Sequence, residues 1–357
     1  MIESAPVSEP IVARPKPYLV QLKAGQVYFW CRCGRSRNQP FCDGSHKGTG
    51  LLPLKHVGAV DGEEVLFCGC KQTRGAPFCD GAHTNLPGGA LLDDPNSEEN
   101  RKVPLVAAGA DGRAHLDGGC QVCTPQAVAL ETRGGLSFRQ LIASESGAQY
   151  QALYYLRVAM PGSPVFSCGD RHAVLMTTAG RGSIVISGER FSVRATDGIY
   201  VRPGEAMQLV PDAGQVLECV LSIAPLGTIE WLDSMPANFD SVNSQRVASV
   251  DPAQRSVMGP RYFQCLVDKT LGSDMVTQFI GHIPYSKAAP HRHLYEETLI
   301  VLSGEGCMWT ESRKATVRAG DVIFLPRKQV HSLQCTAENG MDVAGVIYPG
   351  DNPSINY

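Results

Sequence analysis

The chain has 357 residues, 43% of them hydrophobic, with a net charge of −3 and a pI near 6.3, which is enough length and apolar content for two or three compact domains. A slightly acidic chain without a run of Lys or Arg offers no basic surface, so nucleic acid is not an expected partner. The N-terminus has no apolar stretch of signal-peptide length and no segment has the pattern of a membrane span, so we expect a cytoplasmic protein without a membrane partner.

Two short cysteine-rich segments repeat one pattern near the start of the chain. After an N-terminal tail, residues 1–15, the stretches 18–30 and 50–67 are predicted to be short strands. They lead into a first frame, CRCGRSRNQPFCDGSH (residues 31–46), and a second frame, CGCKQTRGAPFCDGAH (residues 68–83), offset by 37 residues. Both have the spacing C-x-C, eight residues, C, three residues, H. The candidate ligands are Cys31, Cys33, Cys42 and His46 in the first frame and Cys68, Cys70, Cys79 and His83 in the second.

The two frames resemble the CDGSH (mitoNEET-type) iron–sulfur family, in two copies. The resemblance implies a 2Fe-2S cluster in each copy, with the two leading cysteines on one iron and the third cysteine and the histidine on the other. It also implies that residues 16–85 form a pseudo-dimer. Three Cys and one His are equally a structural zinc set, so zinc stays an alternative. Six of 13 cysteines lie in the frames and the total is odd, which favours a reducing compartment over a disulfide scaffold.

The ligand types make two predictions about the clusters. An imidazole in place of a thiolate lowers the negative charge of the site, which raises its reduction potential above that of all-cysteine clusters. An imidazole ligand must also be unprotonated at its metal-binding nitrogen, so acid weakens the site as His46 and His83 gain protons. One helical turn separates Cys42 from His46, so both side chains are expected on one face.

Residues 86–145 are predicted to connect the iron–sulfur region to the rest of the chain. The segment 86–104 is rich in Pro, Gly, Asn and acidic residues and is typical of a linker. Further on, Cys120 and Cys123 form a C-x-x-C with His115 upstream. A redox or metal-binding pair is one interpretation. Two structural thiols in a glycine-rich connector is the favoured one, because no second pair accompanies them.

Beyond residue 145 the pattern changes to short β-branched runs separated by glycine turns, which favours antiparallel sandwiches or barrels and a mainly β chain. A first β module spans residues 146–225 and a second spans 259–357. The segment between them, residues 226–258, holds the best helical candidate, TIEWLDSMP.

The second module carries a candidate metal site. The stretch AAPHRHLYEETLIVLSGEG places His291, His293 and Glu297 at the spacing H-x-H-x3-E, and GDVIFLPRKQVH adds His331. These stretches resemble both signature motifs of the cupin superfamily, whose members fold as small jelly-roll barrels and bind a divalent metal through three His and one Glu. The resemblance implies two tandem cupin modules and one mononuclear site. Fe(II) is the expected metal, and Mn, Ni or Zn are compatible with the ligands. Three positions depart from the family pattern without removing a ligand: Tyr285, Lys328 and Cys335.

The first module lacks these ligands. Alignment of the two modules sets Ser167, Gly169, Ala173 and Gln208 at the ligand positions, which predicts a degenerate metal site. Ligands in a shifted register are an alternative, and a barrel retained for packing is the favoured interpretation. The shifted set would be Cys168, Asp170 and His172. Candidates for a pocket wall in the second module are Cys265, Cys307, Tyr262, Phe279, His282, Tyr285, Tyr295, Trp309 and Phe324, with Arg261 or Arg292 for a substrate carboxylate.

The combination of sites predicts a non-haem iron oxidoreductase or oxygenase that acts on a small organic molecule and O2, with the two clusters as electron relay from an external donor. One alternative is a cupin enzyme that needs no external electrons, such as a dioxygenase or isomerase, with regulatory or structural clusters. Another is a non-enzymatic redox or ligand sensor. A monomer and a homodimer are both compatible with the sequence.

Overall fold

A computed structural model of the chain describes residues 8–86 and 92–357. No helix in these two ranges is long and apolar enough to cross a membrane. The chain divides into two compact units. The described residues of the first are 8–86, 291–294 and 352–357, and the second contains residues 92–290 and 295–351.

The described residues of the first unit form four short strands, β1 Tyr18–Gln21, β2 Val27–Trp30, β3 Leu54–Val57 and β4 Glu64–Phe67, and a 3₁₀ helix at Ala82–Asn85. Each antiparallel pair takes one strand from each repeat, because β1 pairs with β4 and β2 pairs with β3. Among the described strands of this unit, no pair joins two strands of the same repeat. The two repeats therefore fold as one body.

Aromatic side chains fill the space between the two strand pairs. Trp30 and Phe67 are buried at the ends of β2 and β4. The rings of Tyr28, Phe41 and Phe78 surround Phe67, with centroids 5.3 to 6.4 Å from it. Aromatic pairs at this separation add to the free energy gained from burial. Each repeat contributes to this core, as the strand pairing requires.

The second unit has 25 strands and few helices. Its α-helix is α1, Glu98–Lys102, and its 3₁₀ helices are Asp117–Gly119, Pro125–Ala127, Ser144–Ser146, Ser241–Asn243, Pro252–Gln254 and Lys269–Leu271. The strands are β5 Leu92–Asp93, β6 Arg113–His115, β7 Gln121–Cys123, β8 Glu131–Arg133, β9 Leu136–Ile142, β10 Ala152–Val158, β11 Val165–Ser167, β12 His172–Ala179, β13 Arg181–Ile186, β14 Glu189–Arg194, β15 Gly198–Val201, β16 Ala206–Pro211, β17 Leu217–Ala224, β18 Glu230–Leu232, β19 Val247–Ala248, β20 Ser256–Met258, β21 Arg261–Val267, β22 Thr277–Ile283, β23 Ser286–Ala288, β24 Glu296–Ser303, β25 Glu305–Trp309, β26 Lys314–Arg318, β27 Val322–Leu325, β28 Ser332–Cys335 and β29 Met341–Tyr348.

These strands form two antiparallel barrels, each made of two sheets around a shared core. In the first barrel the sheet orders are β19-β15-β12-β17-β10-β9-β8 and β14-β13-β16-β11-β18. In the second they are β20-β21-β22-β29-β24-β27-β7-β6 and β26-β25-β28-β23-β5. The central strands of the two barrels have the same spatial order, with β15-β12-β17-β10-β9 in the first corresponding to β27-β24-β29-β22-β21 in the second. The prediction of a mainly β chain with tandem jelly-roll barrels is confirmed at the level of the fold.

The connector is more ordered than its composition indicates. Strands β6 and β7 extend a sheet of the second barrel beside β27, and β9 pairs with β10 in the first barrel. The predicted boundary at residue 146 therefore falls inside a sheet. Strands β6 and β7 have three residues each, too few for an alternating pattern to stand out in the sequence.

The helix predicted at TIEWLDSMP is wrong. Residues 230–232 form β18, which pairs with β11. The extended backbone lets Trp231 pack its ring 5.9 Å from Phe166 and 5.5 Å from Phe138. Pro236 also disfavours a helical conformation in the residue before it, which leaves little length for a helix. The segment packs instead on the core of the first barrel.

Candidate functional site

The first frame brings its four candidate ligands together as two pairs. Cys31 Sγ lies 3.7 Å from Cys33 Sγ, and Cys42 Sγ lies 3.1 Å from His46 Nδ1. Asp43 orders the turn that holds the second pair, because its carboxylate accepts hydrogen bonds from the backbone N–H of Arg37 at 2.8 Å and of Ser45 at 3.0 Å. Hydrogen bonds from Ser45 and then Arg37 hold the pKa of Asp43 well below its usual range.

The second frame repeats this geometry. Cys68 Sγ lies 3.5 Å from Cys70 Sγ, and Cys79 Sγ lies 3.4 Å from His83 Nδ1. Asp80 accepts hydrogen bonds from two backbone N–H groups, as its counterpart in the first frame does. Sharing a proton with Cys70 lowers the pKa of Cys68 to about 6, although burial opposes the shift.

The distances fit pairs of ligands on separate metal atoms. A tetrahedral metal with metal–sulfur bonds of about 2.3 Å holds two sulfur ligands about 3.7 Å apart. A single zinc ion would need all four ligand atoms of a frame at such distances. In the described ranges, one set of three or more His, Cys, Asp or Glu side chains has its ligand atoms within 4.8 Å of one another. That set lies in the barrel region and not in either frame. Each frame therefore presents its four ligands as two separate pairs.

The second frame differs from the first in a buried cation. Lys71 is 5% exposed, and its Nζ donates to the carbonyl of Cys68 at 2.9 Å and lies 4.8 Å from the ring of Trp30. Burial lowers the pKa of Lys71, and the neighbouring thiolates oppose that shift. The equivalent position in the first frame is Gly34. Comparing the two repeats in the sequence could have singled out Lys71 by this difference.

In the cupin-like motif the structure brings three of the four predicted ligands together. Ligand atoms of His293, Glu297 and His331 lie within 4.8 Å of one another, and the three residues are 2%, 7% and 4% exposed. The Nδ1 of His331 is 2.8 Å from the carbonyl of Gln329, which must accept from it. That hydrogen bond leaves Nε2 of His331 as the metal-binding nitrogen.

Two imidazoles and a carboxylate are a donor set that suits Fe(II), Mn(II) and related divalent ions. Buried carboxylates and imidazoles in one cluster also favour a cation, because a bound ion compensates the cost of burying the negative charge. The ring of His291 lies 6.5 Å from that of His293, and His291 is not in the set of three. Its role as a fourth ligand stays a prediction.

The first barrel holds no comparable set among its described residues. Gln208 Nε2 donates to the carbonyl of Ser163 at 3.0 Å, and Ser167 Oγ donates to Glu230 at 3.5 Å. In the shifted register, Cys168 is buried and His172 Nδ1 bonds to the hydroxyl of Tyr200 at 2.7 Å. These contacts are internal to the barrel and fit a packing role.

The remaining candidate residues lie in different environments. Cys120 and Cys123 are both fully buried, and burial raises the pKa of each thiol, which fits structural thiols. Arg261 is 9% exposed and donates to the carbonyl of Leu333 at 3.0 Å, and burial lowers its pKa to about 10. Arg292 is exposed and lies over the ring of Tyr357.

The pocket-wall candidates also differ in orientation. Tyr262 stacks on His282 with ring centroids 5.2 Å apart, and the two lie on the face of their sheet opposite to Phe263, which is in the barrel core. Trp309 donates its ring N–H to Gln334 at 2.9 Å. Phe279 and Tyr295 belong to the core of the second barrel, while Tyr285 is exposed.

Comparisons with known proteins match the two regions separately. Residues 9–47 match the iron-binding zinc finger family of CDGSH type, and residues 282–344 match the cupin domain family. The chain is 58% identical over 50 residues to the mouse CDGSH iron-sulfur domain-containing protein 3, mitochondrial, and 60% identical over 47 residues to the human protein of that name. Each match covers 13% of this chain, and the chain spans only 36% and 37% of the two relatives.

Solved structures resemble the barrel region in fold. An oxalate decarboxylase from Lactobacillus farciminis superposes with a TM-score of 0.50 at 12% identity over 64% of this chain and 86% of its own. Procruciferin, an 11S globulin of Brassica napus, gives 0.52 at 10% identity over 69% and 86%, and a putative glyoxylate-induced protein of Pseudomonas aeruginosa gives 0.52 at 15% over 68% and 94%. An enzyme and a globulin share this fold, so the fold alone does not define an activity.

A cytoplasmic location stays a prediction, since the curated relatives are named as mitochondrial. The chain is therefore similar to the CDGSH-type family at residues 9–47 and to the cupin domain family at residues 282–344, and its fold is mainly β with two barrels.

Proposed function

We propose that the chain is a metal-dependent oxidoreductase in which two 2Fe-2S clusters supply electrons to a mononuclear iron site in the second barrel. The proposal includes a second CDGSH-type copy at residues 68–83. What supports it is the presence in one chain of two paired Cys and His frames and one buried set of two histidines and a glutamate. The substrate class is a small organic molecule that reacts with O2.

The ligands have distinct tasks in this proposal. His293, Glu297 and His331, with His291 as the predicted fourth ligand, would hold the iron, which supplies open coordination positions for substrate and O2. The carbonyl of Gln329 holds the proton of His331 on Nδ1 and so keeps the other nitrogen available. In each frame, Asp43 or Asp80 fixes the turn that positions a Cys and a His for one iron.

The first experiment is a count of metals in anaerobically purified protein. Iron and sulfide analysis should give about five irons and four sulfides per chain, two irons for each frame and one for the barrel. Reduced protein should show two 2Fe-2S signals in its EPR spectrum. Zinc in both frames, or one cluster per chain, would contradict the duplicated cluster.

The second experiment tests the relay without knowledge of the substrate. The clusters are reduced stoichiometrically, excess reductant is removed, and their reoxidation by O2 is followed by visible absorbance. Reoxidation should be fastest with iron in the barrel site and slower in the Glu297→Gln variant and in protein with zinc in that site. Equal rates in all three would refute the relay and favour clusters with a regulatory role.

A further inference from the structure

The last residues of the chain contact the histidine of the second frame. Asn356 Oδ1 lies 3.5 Å from His83 Nε2. Because an amide oxygen can only accept, Nε2 of His83 carries the proton and donates this hydrogen bond, which leaves Nδ1 facing Cys79. His83 is 4% exposed, whereas His46 is half-buried. In the part of the chain that the structure describes, the ring of His46 bonds to Cys42 Sγ alone.

The same segment lies against the turn that holds the second pair of ligands. A Cβ atom added to Gly81 would clash with Ser354 Oγ and lie 3.1 Å from Ser354 Cβ, so the serine side chain would have to move. A Cβ added to Gly44, the equivalent glycine of the first frame, would meet nothing within 4 Å. Both glycines have a left-handed φ, 85° and 95°. The C-terminal segment therefore gives the turn of the second frame a contact that the turn of the first frame lacks among the described residues.

The C-terminal segment also contacts the loop that carries His291 and His293. Tyr357 and Arg292 exchange two backbone hydrogen bonds, of 2.9 and 3.1 Å. The guanidinium of Arg292 also lies 5.5 Å from the centre of the Tyr357 ring. Arg292 stands between His291 and His293 in the chain. Consecutive residues, Asn356 and Tyr357, thus touch a cluster histidine and the neighbour of a metal-binding histidine.

We propose that the C-terminal segment, residues 352–357, is a positioning element that couples the second frame to the metal-binding loop. It makes the second cluster the direct donor to the barrel iron and leaves the first cluster to accept electrons from the external donor. In the step itself, one electron would pass from a reduced 2Fe-2S cluster held by the second frame, which would return to its oxidised form, to ferric iron held by the barrel ligands, which would become ferrous. The external reductant replaces that electron through the first frame. This assignment rests on the proposed function.

The test compares Gly81→Ala with Gly44→Ala in the full-length protein with all metals present. Both variants place a Cβ at a left-handed φ, so strain in the turn is common to them. Only Gly81→Ala pushes against Ser354. A third variant, Asn356→Leu, removes the hydrogen-bond acceptor of His83 without replacing any residue of either frame. Cluster content of each variant is checked by visible absorbance before the kinetic experiment.

One electron is delivered to the oxidised protein by flash photoreduction, and the ferric signal of the barrel iron is followed by freeze-quench EPR. Gly81→Ala and Asn356→Leu should slow its loss at least about tenfold relative to Gly44→Ala, because a small displacement of a positioned group has large kinetic effects. Equal rates in the two glycine variants, or a rate in Asn356→Leu equal to that of the unmodified protein, would overturn the proposal.

A second readout separates this inference from the proposed function. If the unmodified protein shows no electron transfer to ferric iron, the relay fails. The positioning role is then judged by the EPR spectra of the two reduced clusters. A shift confined to the second cluster in Gly81→Ala and Asn356→Leu supports the contact. Spectra that change equally for both clusters, or for neither, overturn it.

Discussion

A buried ion pair links the inter-barrel segment, residues 226–258, to the first barrel. Arg246→Met should show how much this pair contributes to the free energy of unfolding. Arg246 is fully buried, and its guanidinium donates to Glu205, itself 3% exposed, at 2.8 and 3.3 Å. It also lies 4.5 Å from the centre of the Phe239 ring. Removing one partner of a buried pair costs about 3 to 5 kcal/mol, because the other charge stays buried.

The structure places the expected cost near the lower limit of that range. Without Arg246, Glu205 keeps hydrogen bonds from the backbone N–H of Arg202 and Asp240, both at 3.0 Å. We therefore expect a loss of about 3 kcal/mol, or roughly 6 to 12 °C in the melting temperature of the second unit. Calorimetry measures this shift, and the visible absorbance of the clusters, which reports on the first unit, should be unchanged below the transition.

Glu205→Gln supplies the control for this reasoning. Combined with Arg246→Met, it should restore part of the loss, because no charge is then left unpaired. The double variant should be at least about 1 kcal/mol more stable than the sum of the single effects predicts. Additive effects, or a single-variant cost below about 1 kcal/mol, would show that the pair contributes no more than an exposed one. Metal content of the second barrel should not change in any of the three.

Three further predictions concern the sites and the connector. Lys71→Met should lower the reduction potential of the second cluster by roughly 60 mV, equivalent to about 1.4 kcal/mol of lost attraction between the lysine and the reduced cluster. Lys71→Arg keeps the positive charge and should leave the potential unchanged. An EPR-monitored redox titration measures both variants. His293→Ala should abolish metal binding in the barrel, whereas His291→Ala should weaken it less, because only His293 lies in the close set of ligands. Titration of each variant with manganese, followed by calorimetry, measures the two affinities. Identical losses of affinity would contradict this ranking. Burial raises the pKa of Asp117, but hydrogen bonds, led by that from Thr310, outweigh burial and hold the pKa below its usual range. Asp117→Asn should therefore lower the free energy of unfolding by about 1 to 3 kcal/mol near neutral pH, and by progressively less as the pH falls below about 4. Denaturation curves measured near neutral pH and below about pH 4 test this.

The sequence predicts the chemistry of the sites better than their surroundings. The spacing of Cys42 and His46 survives as a close pair because four residues in a turn place both side chains together. The order of the connector is harder to read from the sequence. Its strands β6 and β7 are held by pairing beside β27, and strands of three residues leave little periodic signal. The contact of Asn356 with His83 joins positions 273 residues apart and has no local signature at all.

The exchange of strands between the two repeats has a consequence for symmetry. A homodimer built from one such repeat would carry every substitution twice, so its two sites would have to remain identical. Here β1 pairs with β4 and β2 with β3 inside one chain, and each repeat is free to differ. Lys71 opposite Gly34, and Gly81 beneath Ser354 where Gly44 faces open space, are two such differences. Covalent fusion thus allows one member of a matched pair to specialise while the other keeps its original surface.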